Sequence, residues 1–225
     1  MGLEARQRLR LTFAKGEEIK YISHLDMMRL WERVLRRAQV PLVYSKGYNP
    51  RPKLALAAPL PVGFTSRGEV MDIILSHRTS PYSFAKQVAP QLPPGLEILS
   101  VEEVYLALPS LQSQVCYSEY EVIVSSGELL AEMRERLERV LRAESLPWSR
   151  EREGKAREFD MRPLIDALWL KGRRDGDYVL GMRLQTDSQA TGRPDEVLEA
   201  TGLAGAVKSI QRTRLIFRFD KSGGS

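Results

Sequence analysis

The chain has 225 residues, of which 43% are apolar and 28% are charged, and its formal net charge is +5. This composition is typical of a globular protein with one large or two small hydrophobic cores. No apolar run approaches the roughly 18 residues of a membrane span, and the N-terminus lacks the apolar centre of a signal peptide. We therefore expect a cytoplasmic protein with no membrane partner.

Cysteine and histidine usage excludes several kinds of chemistry. The single cysteine, Cys116, rules out an internal disulfide. It also rules out an iron–sulfur or zinc–thiolate site within this chain, which needs about three or four Cys or His ligands. No group of His, Asp and Glu has the spacing of metal ligands, so we expect no metal site.

The positive charge is concentrated in the first part of the chain. Residues 1–67 hold 13 lysines and arginines against five acidic residues, whereas residues 68–225 hold 21 against 24. A localised basic surface favours a polyanionic partner, because cations that neutralise phosphates release counterions.

The elements of the first half begin with a strand and a helix. The alternating segment Arg8–Phe13 predicts a strand. Ser23, followed by Asp26 three residues later, resembles a capping box and predicts the start of a helix. An apolar face of that helix is predicted from residues at helical spacing, namely Leu25, Met28, Trp31, Val34, Leu35 and Ala38. A second, basic face is formed by Arg29, Arg33, Arg36 and Arg37.

The rest of the first half completes a βαββαβ order. A strand is predicted from Leu42 that breaks at Gly47, and a second one over 68–76. A short helix at 81–92 and a strand at 95–105 follow.

The second half has a similar order. Strands are predicted at 120–124, 147–153, 177–185 and 207–219, a long helix at 128–144 and a shorter helix at 193–202. The segment 162–172 fits either a strand or a helix. The fold class is therefore α+β, with two ferredoxin-like halves in tandem.

A repeated segment supports an internal duplication. Residues 32–42, ERVLRRAQVPL, align with residues 138–148, ERVLRAESLPW, with six identities in eleven positions. We place the first half at 1–108, the second at 109–221 and a flexible tail at 222–225.

The decapeptide YSKGYNPRPK, residues 44–53, has an unusual composition of cations, tyrosines and prolines and no acid. Lys46, Arg51 and Lys53 are suited to phosphates, and Tyr44 and Tyr48 to stacking on unpaired bases. Asn49 is suited to reading a base edge or holding a turn. Gly47, Pro50 and Pro52 shape and stiffen the segment. The same residues also suit a purely structural corner, and the sequence leaves both interpretations open.

His24 is the weak catalytic candidate of the chain. It lies at the predicted start of the first helix, close in sequence to the basic elements. A general acid–base role is one interpretation, and a hydrogen-bonded packing residue is the other.

The segment Tyr21–Ile73 closely resembles the radical-SAM-linked protein family, a domain of unknown function. The resemblance rests on the run Y-I-S-H-L-D, the decapeptide and the following P-L-P-V-G, with weaker likeness at FDMRPLI and TGRPDEVLEA. The residues that carry the family pattern are Ser23, His24, Asp26, Tyr44, Ser45, Gly47, Asn49, Pro50, Pro52 and Lys53. The resemblance implies a radical-SAM protein as partner. Because the chain has no CxxxCxxC motif, the iron–sulfur cluster and S-adenosylmethionine are expected only on that partner.

Three functions are compatible with these features. The first is a non-catalytic accessory module that binds RNA, such as tRNA or rRNA, for a radical-SAM enzyme, and we expect no catalytic activity of its own. The second is a protein-interaction module that docks on the radical-SAM subunit. The third is a metal-independent endoribonuclease that uses His24.

Overall fold

The computed structural model describes residues 4–152, 155–187 and 189–218. The chain divides into two structural units. The first runs up to Val115 and resumes at Phe217, and the second spans Cys116–Ile216. The predicted mixed α+β fold class is confirmed. The predicted tail, 222–225, lies outside the described residues.

The first unit has the element order β1, α1, β2, β3, α2, β4. The bounds are Gln7–Lys15 (β1), His24–Arg37 (α1), Leu54–Leu56 (β2), Thr65–Leu75 (β3), Pro81–Val88 (α2) and Leu96–Val104 (β4). Its strands lie in the order β4-β1-β3-β2, and each neighbouring pair is antiparallel. A short helix, α3 (Leu111–Gln114), follows β4.

The core of this unit lies between the sheet and the helices α1 and α2. Alternation along β1 puts Leu9, Leu11 and Phe13 on one face, where all three are buried. Trp31 of α1 meets Phe13 edge to face, with ring centroids 5.0 Å apart and an interplanar angle of 69°. This contact is part of the packing of α1 on the sheet.

The opposite face of β1 carries buried charge. Asp72 of β3 is only 3% exposed and accepts hydrogen bonds from Arg8 Nε at 2.8 Å and Arg10 Nε at 2.9 Å. Arg8 also donates to the carbonyl oxygens of Leu108 at 2.7 Å and Pro109 at 3.0 Å. These two arginines are therefore committed to the fold and contribute little to any basic binding surface.

One strand of the first half lies elsewhere than predicted. Leu42 and Tyr44 form only isolated bridges, to Leu75 and Pro52, so the strand predicted from Leu42 is wrong. The strand at this position in the order is β2, Leu54–Leu56, which pairs with Met71–Ile73 of β3. The backbone leaves the sheet after Tyr44 and returns to it only past Pro52.

The second unit has the same order of elements with an added hairpin. The bounds are Val115–Val124 (β5), Leu130–Arg142 (α4), Pro147–Arg152 (β6), Lys155–Asp160 (β7), Ile165–Arg174 (β8), Asp177–Gln185 (β9), Pro194–Ala200 (α5) and Val207–Phe217 (β10). The strands lie in the order β10-β5-β9-β8, and β6 pairs with β7 in a separate sheet. The ambiguous segment 162–172 is mostly strand, because β8 pairs along its length with β9.

Buried carboxylates also organise the sheet of the second unit. Glu119 of β5 accepts hydrogen bonds from Arg214 Nε at 2.7 Å and Arg183 Nε at 2.9 Å. Glu121 pairs with Lys171 and Arg174, each at 3.1 Å. Burial raises the pKa of both glutamates, but the hydrogen bonds and positive charges of their partners outweigh it, so each pKa is lowered.

We predict that Asp72→Asn destabilises the protein by about 3–5 kcal/mol, because it leaves buried arginines without their counter-charge. Urea denaturation measures the change. The matched control is Asp166→Asn, which breaks a more exposed ion pair with Arg183 at 3.4 Å and should cost about 1 kcal/mol or less. Equal losses of unfolding free energy in the two variants would contradict the assignment of Asp72 as the buried counter-charge of Arg8 and Arg10.

We also predict that Glu119 makes stability depend on pH in the acid range. Because its pKa is lower in the folded state, its contribution is complete above the unfolded-state pKa of about 4.3 and is lost as the pH falls through the folded-state pKa. Glu119→Gln should therefore make the free energy of unfolding less dependent on pH below about pH 5. Urea midpoints over the acid range test this. The exposed Glu158→Gln control should keep the wild-type slope.

Candidate functional site

The first helix, α1, begins where the sequence predicts. Ser23 Oγ accepts a hydrogen bond from the backbone N–H of Asp26 at 3.2 Å and donates one to Asp26 Oδ2 at 2.7 Å. The Ser23 hydroxyl, and then Arg29 at 3.1 Å, lower the pKa of Asp26. The cap holds Arg29 near the helix start, and the negative charge of Asp26 suits the positive end of the helix dipole.

The helix presents a second, partly exposed face beside its buried one. Leu25, Met28, Arg29 and Glu32 are spaced i, i+3, i+4, i+7 and so share one face. Leu25 is 64% exposed, although the sequence pattern placed it with the core residues. Met28 is partly buried. Only the inner part of the predicted apolar face, with Trp31 at its centre, is fully buried.

The decapeptide 44–53, here called the basic loop, is closed at its base. Ser45 N–H donates to the Arg51 carbonyl at 2.8 Å, and Arg51 N–H donates to Ser45 Oγ at 3.0 Å. Lys53 N–H donates to the Val43 carbonyl at 2.8 Å. These bonds close the base of the loop, while residues 46–50 form the tip. The base is fixed to β3 because Val43 N–H donates to the Ile74 carbonyl at 2.9 Å and Ile74 N–H donates to the Lys53 carbonyl at 3.1 Å.

The tip of the basic loop faces solvent. Tyr48 is 99% exposed and Tyr44 is 39% exposed. Lys46, Asn49 and Pro50 are exposed as well. Gly47 has φ +135°, a conformation that favours glycine, and no neighbour lies within 4 Å of an added Cβ. The structural interpretation therefore applies to Pro52, which is buried, and to the base of the loop.

A surface groove joins α1 to the basic loop. Its volume is about 530 Å³. Four apolar residues, two cations and one acid line it: Leu25, Met28, Pro52, Leu54, Arg29, Arg51 and Glu32. The structure therefore brings together the two basic elements that lie apart in the sequence.

Most cations of this surface have no acidic partner. Within residues 4–152, 155–187 and 189–218, no ion pair is formed by Arg33, Arg36, Lys46, Arg51 or Lys53. Arg33 and Arg36 continue along α1 from Arg29, one and two turns further on. The positive charge is thus available to an external anion, in contrast to that of Arg8 and Arg10.

His24 lies apart from this groove. It is the first residue of α1 and is half-buried. It lines a small cavity of about 20 Å³ together with the buried Lys15 and Glu69. A cavity of this size holds about one water molecule.

The described part of the chain contains no group of three or more His, Cys, Asp or Glu residues that could hold a metal ion. None of its helices is long and apolar enough to cross a membrane.

Sequence reasoning missed four residues of the groove. The helical spacing assigns Leu25 and Met28 to the core, and Glu32 and Leu54 are given no role. For the three helix residues, the available signal is their spacing with Arg29, because it predicts a shared helix face. Nothing local predicts that the basic loop lies against that face.

Fold and site together define a mixed α+β protein with a solvent-facing basic groove. The chain belongs to the family described as "uncharacterized protein conserved in bacteria" (DUF2344), whose model matches residues 8–194. No curated protein matches the sequence.

Several solved structures resemble this fold at very low sequence identity. A Cbf5–Nop10–Gar1 complex has a TM-score of 0.50 and 8% identity, covering 93% of this chain and 48% of that chain. The archaeal box H/ACA sRNP Nop10–Cbf5 complex has a TM-score of 0.47 and 9% identity, covering 93% and 47%. An H/ACA RNP bound to a substrate RNA containing 2′-deoxyuridine has a TM-score of 0.45 and 8% identity, also covering 93% and 47%. The chain spans about half the length of these matched chains, and the likeness concerns the fold alone.

Proposed function

We propose that this chain is a non-catalytic, cytoplasmic RNA-binding module that holds RNA for a radical-SAM enzyme. The groove between α1 and the basic loop carries the proposal. It brings Arg29 and Arg51 to one surface. Further cations that form no ion pair among the described residues continue from it along the helix and the loop, namely Arg33, Arg36, Lys46 and Lys53. Such a surface neutralises several phosphates of one strand.

The two tyrosines favour single-stranded or looped RNA over a duplex. Tyr48 projects fully into solvent at the loop tip, and Tyr44 is partly exposed at its base. An aromatic ring stacks on a base only where that base is unpaired, which is the usual target of RNA-binding proteins. Lys46 lies between the two tyrosines in the sequence and Lys53 ends the loop, and both would hold adjacent phosphates.

The radical-SAM partner is the part of the proposal that comes from the family resemblance. Chemistry on the bound RNA would belong to that partner, which would carry the iron–sulfur cluster and S-adenosylmethionine. The printed sequence has one cysteine and therefore cannot hold such a cluster by itself. In this assignment, the chain selects and orients the RNA.

We further propose that the chain is built from two tandem ferredoxin-like halves that arose by duplication. Both units share a 4-1-3-2 strand order when their strands are numbered along the chain and the β6–β7 hairpin is set aside. The repeated ERVLR run ends α4 and lies near the end of α1, and each of these helices follows the first strand of its unit.

A second candidate function is docking on the radical-SAM subunit. The observation that favours it is the exposed apolar side of the groove, with Leu25 as its most exposed member. An acidic segment with apolar side chains would complement that groove. Under this alternative, replacing the cations of the basic loop abolishes co-purification of the radical-SAM subunit with this chain, and removing RNA has no effect on it.

We predict that the chain binds labelled, pooled cellular RNA in a salt-dependent manner and that replacing Lys46, Arg51 and Lys53 by Ala weakens this binding. Because each phosphate contact on a single strand adds about 0.7 to the slope of log K against log salt, the slope should fall by about 2 in the triple variant. Fluorescence anisotropy at several salt concentrations measures it.

The matched control removes the same charge elsewhere. Arg134, Arg139 and Arg157 are exposed residues of the second unit, and replacing them by Ala should leave most of the slope intact. Absence of RNA binding by the wild type would contradict the proposal and favour protein docking. Equal slopes in the two triple variants would place the RNA somewhere other than the basic loop.

We predict that Tyr48→Ala weakens binding to unstructured RNA and that Tyr48→Phe does not. Loss of one stacked base costs roughly 1–3 kcal/mol, whereas phenylalanine keeps the aromatic face. Titration of a labelled, unstructured RNA measures the difference. Tyr105 is 84% exposed and lies just after β4. The Tyr105→Ala control should bind like the wild type, and an equal loss in the two alanine variants would remove Tyr48 as a stacking residue.

A further inference from the structure

Glu32 is an unusual residue for a surface that binds phosphates. It lines the groove beside Arg29 and Arg51, and it is half-buried. Among the described residues its carboxylate forms no ion pair and accepts no hydrogen bond, although Arg29 and Arg36 lie three and four positions away on the same helix. An acid at this position opposes phosphate binding, so its presence points to a ligand group that donates hydrogen bonds.

The rest of the groove is suited to a flat, partly apolar ligand. Leu25, Met28 and Leu54 offer aliphatic surface, and Pro52 is held rigidly by the base of the loop. The groove volume of about 530 Å³ falls within the roughly 300–1,000 Å³ of pockets that bind small molecules. Apolar walls with a few convergent polar groups are what a nucleobase needs for contact on its faces and recognition at its edge.

We infer that this groove accepts one unpaired base of the bound RNA and that Glu32 selects guanine; this inference rests on the proposed function. A carboxylate offers two acceptor oxygens and no donor. The Watson–Crick edge of guanine presents N1–H and N2–H₂ side by side, so two parallel charge-assisted hydrogen bonds form. Arg51 remains available for a neighbouring phosphate, and Arg29 would exchange its exposed ion pair with Asp26 for the phosphate on the other side of that base.

The other three bases do not match this carboxylate. In adenine and cytosine, the amino donor lies beside a ring nitrogen that is an acceptor and therefore faces a carboxylate oxygen. In uracil, the single N3–H lies between two carbonyl oxygens. Each mismatch gives at most one hydrogen bond and leaves like-charged acceptors facing each other, which is costly where the groups are desolvated.

The test uses RNA nonamers of uridine with G, A, C, U or inosine at the central position, titrated against the wild type and Glu32→Gln. The wild type should prefer the G nonamer by about 5- to 150-fold, the range expected for one bidentate base contact. Inosine lacks the N2 amine and should bind with intermediate affinity. In Glu32→Gln the preference should disappear, because the amide replaces one acceptor by a donor.

Glu97→Gln is the matched control, because Glu97 is an exposed glutamate on β4 away from the groove, and it should keep the wild-type preference. Circular dichroism checks that both variants are folded. Equal binding of all nonamers by the wild type, or a guanine preference that survives in Glu32→Gln, would overturn the inference while RNA binding itself stands. If the wild type binds neither the nonamers nor pooled RNA, the proposed function is overturned as well.

Discussion

The packing of Trp31 against Phe13 is the contact on which the arrangement of the candidate site depends. Trp31 is completely buried, and its indole nitrogen has no hydrogen-bond partner among the described residues. An unpaired buried donor costs about 1–3 kcal/mol, whereas truncating a buried tryptophan to alanine costs about 3–5 kcal/mol, so packing dominates. With Trp31 fixed inward, the rotation of α1 is set. The face bearing Leu25, Arg29 and Glu32 then has to line the groove.

The strongly basic first part of the chain contains two kinds of cation. Arg8 and Arg10 form ion pairs with the buried Asp72. The ammonium group of Lys15 donates a hydrogen bond to the carbonyl of Lys20 at 2.9 Å. Buried cations must be paired or hydrogen-bonded, because desolvation of an uncompensated charge is expensive. The charged groups of α1 and the basic loop are exposed and hydrated. A phosphate group can therefore replace the water around them. Net charge counted from a sequence does not separate these two groups.

The groove combines features that are usually considered separately. Its cations suit phosphates, its aliphatic side suits a base or an apolar side chain, and its lone acid suits a hydrogen-bond donor. A purely electrostatic surface binds any polyanion, whereas a surface with an acid among the cations rejects ligands that lack donors at the right place. Specificity in such a site would come from Glu32, and affinity from the arginines and lysines around it.

Some properties of this protein are determined by its sequence alone. The mixed α+β class, the start of α1 at Ser23 and the basic face of that helix depend on spacing between near neighbours, which short-range rules describe well. The family follows from matched residues along most of the chain. The position of β2 was predicted incorrectly, because pairing with β3 decides which segment after α1 becomes a strand.

Only the tertiary structure decided which residues form the site and which form the buried ion pairs. Asp72 and Arg8 are 64 residues apart, and Glu32 and Arg51 come from different elements on one groove. Such contacts depend on strand register and helix rotation, which are set by the packing of the whole unit rather than by local preference. The sequence therefore predicted a helix and a loop with suitable chemistry, and the fold placed them side by side.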